Sequence, residues 1–148
     1  MNTALHFDFL PLKREYISEI LEIEKLSFQE PWTREMFERE LSLPMSRFFI
    51  FKYNNKVAGY AAGWLILDEA HITNIAVHPE YRNKGLGRQA LEFLVEDMYI
   101  KGARKALLEV RETNVAANKL YTSAGFKAVG FREKYYKNEG AILMEKNL

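Results

Sequence analysis

The sequence predicts an α+β fold, built on one mixed β-sheet with helices packed on both faces. Two observations indicate this arrangement. Residues 47–53 and 57–67 are rich in aromatic and aliphatic side chains and flank Asn54-Asn55, a dipeptide that suits a tight hairpin turn. Residues 71–111 then read as a strand, a long helix and a second strand, the pattern of a parallel pair with a helical crossover.

The first part of the chain is predicted to form a short strand and two helices. Residues 5–9 alternate between apolar and polar side chains until Pro11 interrupts the pattern. The helix that follows has an apolar stripe made of Ile17, Ile20, Leu21 and Phe28. Thr33 can cap a second helix, and the spacing of Trp32 and Phe37 around it matches a hydrophobic staple.

The middle of the chain supplies the predicted parallel pair. A strand over 71–77 ends at Pro79, and helical periodicity then runs over 86–100, with Gly102 placed to end the helix. Because parallel neighbours need a long connection, the next strand, at 106–111, is expected beside the first.

The last part of the chain is predicted to be a short helix and two closing strands. The helix covers 115–123 with Gly125 as its stop, and the strands cover 126–136 and 141–146. No repeat or flexible linker interrupts this series, so residues 1–148 are expected to form one domain.

The composition indicates a folded protein and argues against several functional classes. Hydrophobic residues make up 48% of the chain and charged residues 28%, as in globular domains. A net charge of +1 provides no strongly basic surface, so nucleic acid and membrane are not expected as direct partners. With no cysteine, and three histidines outside any ligand spacing, we expect no metal. No segment approaches the roughly 20 apolar residues of a membrane span, and we expect a cytoplasmic protein.

The segment Arg82-Asn83-Lys84-Gly85-Leu86-Gly87-Arg88 is the clearest candidate binding site. It lies between a predicted strand and a predicted helix, where the first amides of the helix lack acceptors and can face an anion. Its glycines allow the backbone to come close, and its three basic side chains add positive charge. The segment is expected to bind a pyrophosphate or sugar phosphate; the alternative is a helix start that uses small residues for steric ease.

A dinucleotide-binding fold is another explanation of these glycines. Gly85, Gly87 and Ala90 satisfy G-x-G-x-x-A, and Glu109 lies 22 residues beyond Gly87. In that fold the glycines follow the strand directly, whereas here seven residues separate Val77 from Gly85. Too little chain remains beyond the parallel pair to build a second nucleotide-binding half, so this explanation is the weaker one.

The same loop also matches a longer, ordered series of motifs. Arg82, Gly85 and Gly87 fit the acyl-CoA signature of Arg or Gln, two residues, Gly, one residue, then Gly or Ala. On this basis the chain resembles the GNAT superfamily of N-acetyltransferases. Further matches resemble its bacterial ribosomal-protein-alanine N-acetyltransferases and cover most of the chain: Phe28 to Trp32, Asn74 to Val77, Leu108 to Arg111, Asn114, Leu120-Tyr121, Gly125-Phe126 and Tyr135-Tyr136.

The resemblance implies a mostly antiparallel sheet in which the two parallel strands splay apart, with acetyl-CoA lying in the gap. On the matching positions, Ile75, Ala76 and Val77 would pair with the pantetheine arm of the cofactor. Asn83 to Arg88 would hold the pyrophosphate, Arg82 belongs to the same cofactor site, and Asn114 would complete it.

Acetyl transfer from a thioester to an amine needs a neutral amine, a donor for the developing oxyanion and a proton for the leaving thiolate. Glu109 lies among Leu107, Leu108 and Val110, where partial burial would raise its pKa toward the range of a general base. The alternative is a surface carboxylate paired with a base such as Arg111.

The other candidate site residues are aromatic. Tyr121 alone would be read as a core residue, but the resemblance implies that its phenol protonates the leaving sulfur. Tyr135 and Tyr136 resemble paired tyrosines that line the peptide entrance, with cross-strand packing as the alternative. In this region the chain differs from the family that it resembles. The loop after Tyr136 is shorter, and it lacks the Asp of the family's Glu-Asp-Ala. A backbone amide in strand 75–77 is expected to bind the oxyanion.

We therefore expect an enzyme that uses acetyl-CoA to acetylate a protein N-terminus, and the resemblance implies the N-terminal Ala of a small-subunit ribosomal protein. An α-amino group titrates near ~8, below the ~10.4 of lysine, so a modest base suffices. A monomer or weak homodimer is expected. The alternatives are transfer to lysine or small-molecule amines, and an acyl-CoA-binding module without turnover.

Overall fold

A computed structural model describes residues 7–136 and 139–148, with the side chains of 134–136 excepted. The strands are β1 Asp8–Pro11, β2 Ser46–Tyr53, β3 Lys56–Ile66, β4 Glu69–Val77, β5 Lys105–Arg111, β6 Lys127–Tyr136 and β7 Glu139–Asn147. The α-helices are α1 Ile17–Ser27, α2 Arg34–Glu40, α3 Leu86–Ile100 and α4 Val115–Ser123. The predicted α+β fold and the predicted order of elements are confirmed, and none of the described helices has the length and apolarity needed to cross a membrane.

Local signals place the ends of several elements where the sequence predicts them. Thr33 is the N-cap of α2, and its hydroxyl accepts a hydrogen bond from the amide of Met36 at 3.3 Å. The rings of Trp32 and Phe37 lie 5.2 Å apart, so the hydrophobic staple forms. Pro11, expected to stop the first strand, is instead its last residue, which an edge strand tolerates.

The seven strands form one sheet in the order β1-β2-β3-β4-β5-β7-β6. Asn54 and Asn55 turn the chain between β2 and β3 with φ values of 50° and 65°, the left-handed conformation that a two-residue hairpin requires. Among the described strand pairs, β4 and β5 are parallel and the others are antiparallel, as predicted.

Two apolar clusters cover the two faces of the sheet. On one face, α3 buries Leu91, Leu94 and Met98, and α4 packs beside it. The other face carries α1 and α2, whose buried side chains include Ile20 and Phe37. Each buried side chain of this size contributes about 1.5–3 kcal/mol, so the helices are held to the sheet mainly by apolar burial.

The parallel pair opens partway along its length. Its cross-strand partners run from Glu69 and Lys105 to His71 and Leu107, after which the described strands continue without pairing to each other. Thr73 is an extra residue in β4 relative to β3, because Ala62 lies opposite Asn74 and Gly63 opposite Ile72. This bulge bends β4 where it leaves β5, and the splayed pair implied by the resemblance is confirmed.

Candidate active site

The opening between β4 and β5 is a cleft of about 200 Å³. Its walls are residues 72–75 of β4 and 108–111 of β5, and it is closed at the sides by the end of α1 and by α4. A wider groove of about 480 Å³ continues from it over the sheet, and Thr73 and Glu109 line both spaces. A ligand in the cleft would therefore lie beside polar side chains from both strands.

One edge of β4 faces this opening beyond the last parallel pair. Ile75, Ala76 and Val77 pair on their other side with Ala61, Tyr60 and Gly59 of β3. Because β5 has diverged, the backbone groups on the opening side face the cleft instead of a neighbouring strand. This is the geometry that amide groups of an extended ligand need in order to add to a strand edge.

Arg82 is directed at the end of β4 and at α1. Its Nε donates to the carbonyl of Val77 at 3.0 Å, and its Nη2 donates to the hydroxyl of Ser27 at 3.0 Å. The side chain therefore ties the start of the glycine loop to the strand end and the helix that flank the cleft. Within the predicted cofactor site, this contact favours a role in holding the loop.

The glycine loop leads into the N-terminus of α3. Asn83 and Gly85 adopt φ values of 63° and 74°, and Gly85 is the N-cap residue of the helix. The amides of Leu86, Gly87 and Arg88 follow, in the first turn of α3, where a helix offers no acceptors for its own N–H groups. The loop thus presents backbone donors and the positive end of the helix dipole near the end of β4, where Gly87 lies next to Val77, as an anion site requires.

Asn114 caps the second helix beside the cleft. Its side-chain oxygen accepts a hydrogen bond from the amide of Ala117 at 3.1 Å and so begins α4. The side chain lines the cleft together with Ala117 and Tyr121 of the same helix. The predicted cofactor residue therefore lies at the site, where its observed contact is structural.

Glu109 lies two residues beyond Leu107, the last residue of β5 that pairs with β4, and on the same side of the strand. Its side chain is 29% exposed, and its carboxylate lies 3.2 Å from the guanidinium of Arg132 on β6. The sequence alternative named Arg111 as a partner for Glu109. Arg111 instead pairs with Glu139 at 3.2 Å.

Tyr121 lies on α4, which closes one side of the cleft. It is partly buried, its ring meets Phe126 edge-on at 5.9 Å, and it lines the same cleft as Glu109. The two predicted catalytic residues therefore share one cavity. The side chains of Tyr135 and Tyr136 lie outside what the structure describes, although their backbone belongs to β6.

A buried carboxylate in the cleft wall is a feature that the sequence analysis missed. Glu24 of α1 is 1% exposed and accepts hydrogen bonds from the Tyr60 hydroxyl, from Asn74 Nδ2 at 3.1 Å and from the Trp32 amide at 3.1 Å. Burial, and then the negative charge of Glu24, raise the pKa of Tyr60. The signal was present, because Glu24 falls on the apolar stripe four residues after Ile20.

A metal centre has no candidate ligands in residues 7–136 and 139–148. In that part of the chain no three His, Asp or Glu side chains converge closely enough to hold an ion.

Comparison with known proteins identifies the family. The model of the acetyltransferase (GNAT) family matches residues 17–126, which is most of the chain. The chain belongs to the GNAT family. Its GNAT domain contains the splayed strands, the glycine loop and Glu109, whereas Tyr135 and Tyr136 lie beyond the matched region.

Relatives of this GNAT protein include two bacterial proteins of similar length. The [ribosomal protein bS18]-alanine N-acetyltransferase of Escherichia coli (strain K12) is 35% identical over 153 residues, covering 97% of this chain and 96% of the relative. A Bacillus subtilis (strain 168) protein that carries this name provisionally is 38% identical over 136 residues, covering 90% of each. The crystal structure of the ribosomal-protein-S18-alanine N-acetyltransferase from Escherichia coli matches with a TM-score of 0.89 at 33% identity, covering 96% of this chain and 94% of that one.

Proposed function

We propose that this GNAT protein is an N-α-acetyltransferase that moves an acetyl group from acetyl-CoA to the N-terminal alanine of ribosomal protein bS18. The observation that carries the proposal is the opening between β4 and β5, with Glu109 and Tyr121 on its walls. The similarity to relatives named for this reaction, over nearly the whole chain, supports the choice of acceptor. A ribosomal acceptor favours action in the cytoplasm.

The residues around the opening fit acetyl-CoA. The edge of β4 at Ile75, Ala76 and Val77, which has no neighbouring strand on the β5 side, suits the amides of the pantetheine arm, because both partners are extended and carry alternating donors and acceptors. The loop over 83–88 suits the pyrophosphate, since it combines backbone donors at the start of α3 with basic side chains. Asn114 adjoins the same cleft.

The chemistry follows from which groups line the cleft. The nitrogen of a neutral amine attacks the thioester carbonyl, and a backbone amide of strand 75–77 donates to the oxyanion that develops. Glu109 accepts one proton from the nitrogen, directly or through water. Collapse of the intermediate breaks the carbon–sulfur bond, and the phenol of Tyr121 supplies a proton to the thiolate. The products are an amide and free CoA, and no bond to the enzyme is formed.

The acceptor class follows from proton affinity. An α-amino group has a pKa near ~8 and is partly neutral at physiological pH, whereas a lysine side chain near ~10.4 is almost fully protonated. Deprotonation of an α-amino group therefore needs a weaker base than deprotonation of lysine. A chain terminus is therefore favoured over lysine.

A peptide assay tests the proposal. The purified protein is incubated with acetyl-CoA and with peptides that begin in Ala, Ser or Met, and with an N-terminally blocked peptide that carries lysine. Release of free CoA and the mass of the product are measured. We expect acetylation of the Ala peptide at its α-nitrogen. Turnover only on the blocked lysine peptide, or no turnover with any amine, would refute the proposal.

A further inference from the structure

Arg111 connects two segments that come from distant parts of the chain. It is the last residue of β5, and its Nη1 lies 3.2 Å from a carboxylate oxygen of Glu139, the first residue of β7. Its Nη2 lies 3.9 Å from the carboxylate of Glu30, in the loop between α1 and α2. One guanidinium therefore lies between a helix connection and the β6–β7 hairpin.

The hairpin side of this connection is reinforced by further contacts. Thr113 donates a hydrogen bond from its hydroxyl to Glu139. The hydrogen bond from Thr113, and then the one from Arg111, hold the pKa of Glu139 below its ordinary value. The amide of Gly140 also donates to the Glu112 carboxylate at 3.3 Å. The start of β7 is thus attached to the turn that follows β5 through several side chains.

Part of this network lines the cleft. Arg111 and Glu30 line the cleft, and Arg111 is two residues beyond Glu109 on the same side of β5. The loop carrying Glu30 contributes to the lining of the cleft, and Glu139 at the start of β7 pairs with Arg111 beside it. We call the Glu30 loop and the start of β7 the entrance walls. An acceptor that enters between them would meet Arg111 before it reaches Glu109.

We propose that Arg111 is a positioning residue that fixes the separation of the entrance walls and thereby the affinity for the acceptor. The inference rests on the proposed function, because it assumes that an acceptor amine enters this cleft. Arginine suits the role, since its planar guanidinium presents several N–H donors in fixed directions and can bind two carboxylates at once. Without it, the carboxylates of Glu30 and Glu139 would both lose the positive charge that they share.

The two links differ in strength. Arg111 is 25% exposed and Glu139 14%, so their contact is partly shielded from water. Glu30 is 62% exposed and its distance to Arg111 is longer, so this link is weakened more by solvent. Loss of the Glu139 carboxylate is therefore expected to affect the entrance more than loss of the Glu30 carboxylate.

The test measures steady-state kinetics on the Ala peptide, acetyl-CoA affinity by calorimetry and thermal stability. We expect Arg111→Gln to raise the KM for peptide about tenfold or more, with kcat and the Kd for acetyl-CoA within about threefold of wild type. Arg111→Lys should recover part of the loss, because it restores the charge. Lys105→Gln is the matched control, because Lys105 lies at the closed end of the same strand and pairs with Glu145 at 3.8 Å.

A double-mutant cycle separates this role from general support of the fold. Glu139→Gln should raise the peptide KM, and adding it to Arg111→Gln should add little, because both changes remove one link. An unchanged peptide KM in Arg111→Gln, or a parallel loss of acetyl-CoA affinity, would overturn the proposal. If Arg111→Gln does not fold, the peptide KM of Glu139→Gln decides in the same way. Failure of the proposed function is distinguishable, since wild type itself would then leave the peptide unmodified.

Discussion

Leu107 of β5 lies opposite His71 of β4, and in the described strands this is the last pair before the two separate. Side chains of a strand alternate between its two sides, so Glu109 emerges on the side of Leu107 just beyond the point of separation. The position of the carboxylate is thus a consequence of where the parallel pairing ends. Its bond to Arg132 on β6 then fixes the side chain from across the sheet.

Replacement of Glu109 tests its role as base. We expect Glu109→Gln to lower kcat on the Ala peptide by about 10² or more, because general base catalysis contributes 10²–10⁴-fold and an amide cannot take the proton. The Kd for acetyl-CoA, measured by calorimetry, should stay within about twofold of wild type. Glu145→Gln is the control, since Glu145 is another carboxylate of the same sheet and lies opposite Leu107. An unchanged rate in Glu109→Gln would remove this residue from the mechanism.

The glycine loop can be tested at Gly85. A Cβ at this position would meet no protein atom within 4 Å, so the protein itself leaves room for a side chain. The φ of +74°, however, disfavours Ala, whereas Asn visits this region more readily. We expect both Gly85→Ala and Gly85→Asn to weaken acetyl-CoA binding at least tenfold, because any side chain here would keep the pyrophosphate away from the backbone.

The pair of variants distinguishes two causes. If Gly85→Asn binds acetyl-CoA as wild type does while Gly85→Ala does not, the glycine serves the backbone conformation and not close approach of a ligand. If both variants bind normally in calorimetry, the loop is not the anion site. Thermal unfolding of both proteins reports the conformational cost separately.

The buried carboxylate of Glu24 should be needed for stability. Glu24→Ala removes the acceptor for Tyr60, Asn74 and the Trp32 amide, and leaving such buried groups without partners costs about 1–3 kcal/mol each. We expect the free energy of unfolding in urea to fall by about 3 kcal/mol or more. Glu22→Ala on the exposed side of the same helix should change it by less than about 0.5 kcal/mol. Equal effects from the two variants would contradict the role of the network.

Features set by neighbours in the sequence were predictable. The bounds of α3 and α4 coincide with the predicted 86–100 and 115–123, because cap residues and glycines mark those ends locally. The hairpin at Asn54-Asn55 is equally local. The predictions of splayed strands and of an acyl-CoA site at the glycine loop came from the resemblance, since the residues alone left an anion site and a dinucleotide fold both open.

Features set by distant residues were not predictable. Glu24 interacts with Tyr60 and Asn74, which are 36 and 50 residues away, so its burial depends on the completed sheet. Arg132 comes to Glu109 from the far edge strand, which is why the sequence suggested the nearer Arg111. Side-chain pairing across a sheet depends on strand order, and local periodicity does not determine strand order.

The phenol of Tyr60 should make the free energy of unfolding fall steeply at alkaline pH. Burial and the Glu24 carboxylate raise the pKa of Tyr60 above its ordinary ~10, so the folded protein keeps a proton that the unfolded chain releases. The stabilisation is complete below pH ~10 and is lost as pH rises, at about 1.4 kcal/mol per pH unit for one proton. The free energy of unfolding of wild type should therefore fall above pH 10 more steeply than that of Tyr60→Phe. Tyr99→Phe, which alters a half-exposed phenol, should keep the wild-type slope in urea titrations from pH 8 to about 11. Parallel slopes for wild type and Tyr60→Phe would show that the hydroxyl is not held in its protonated form by the fold.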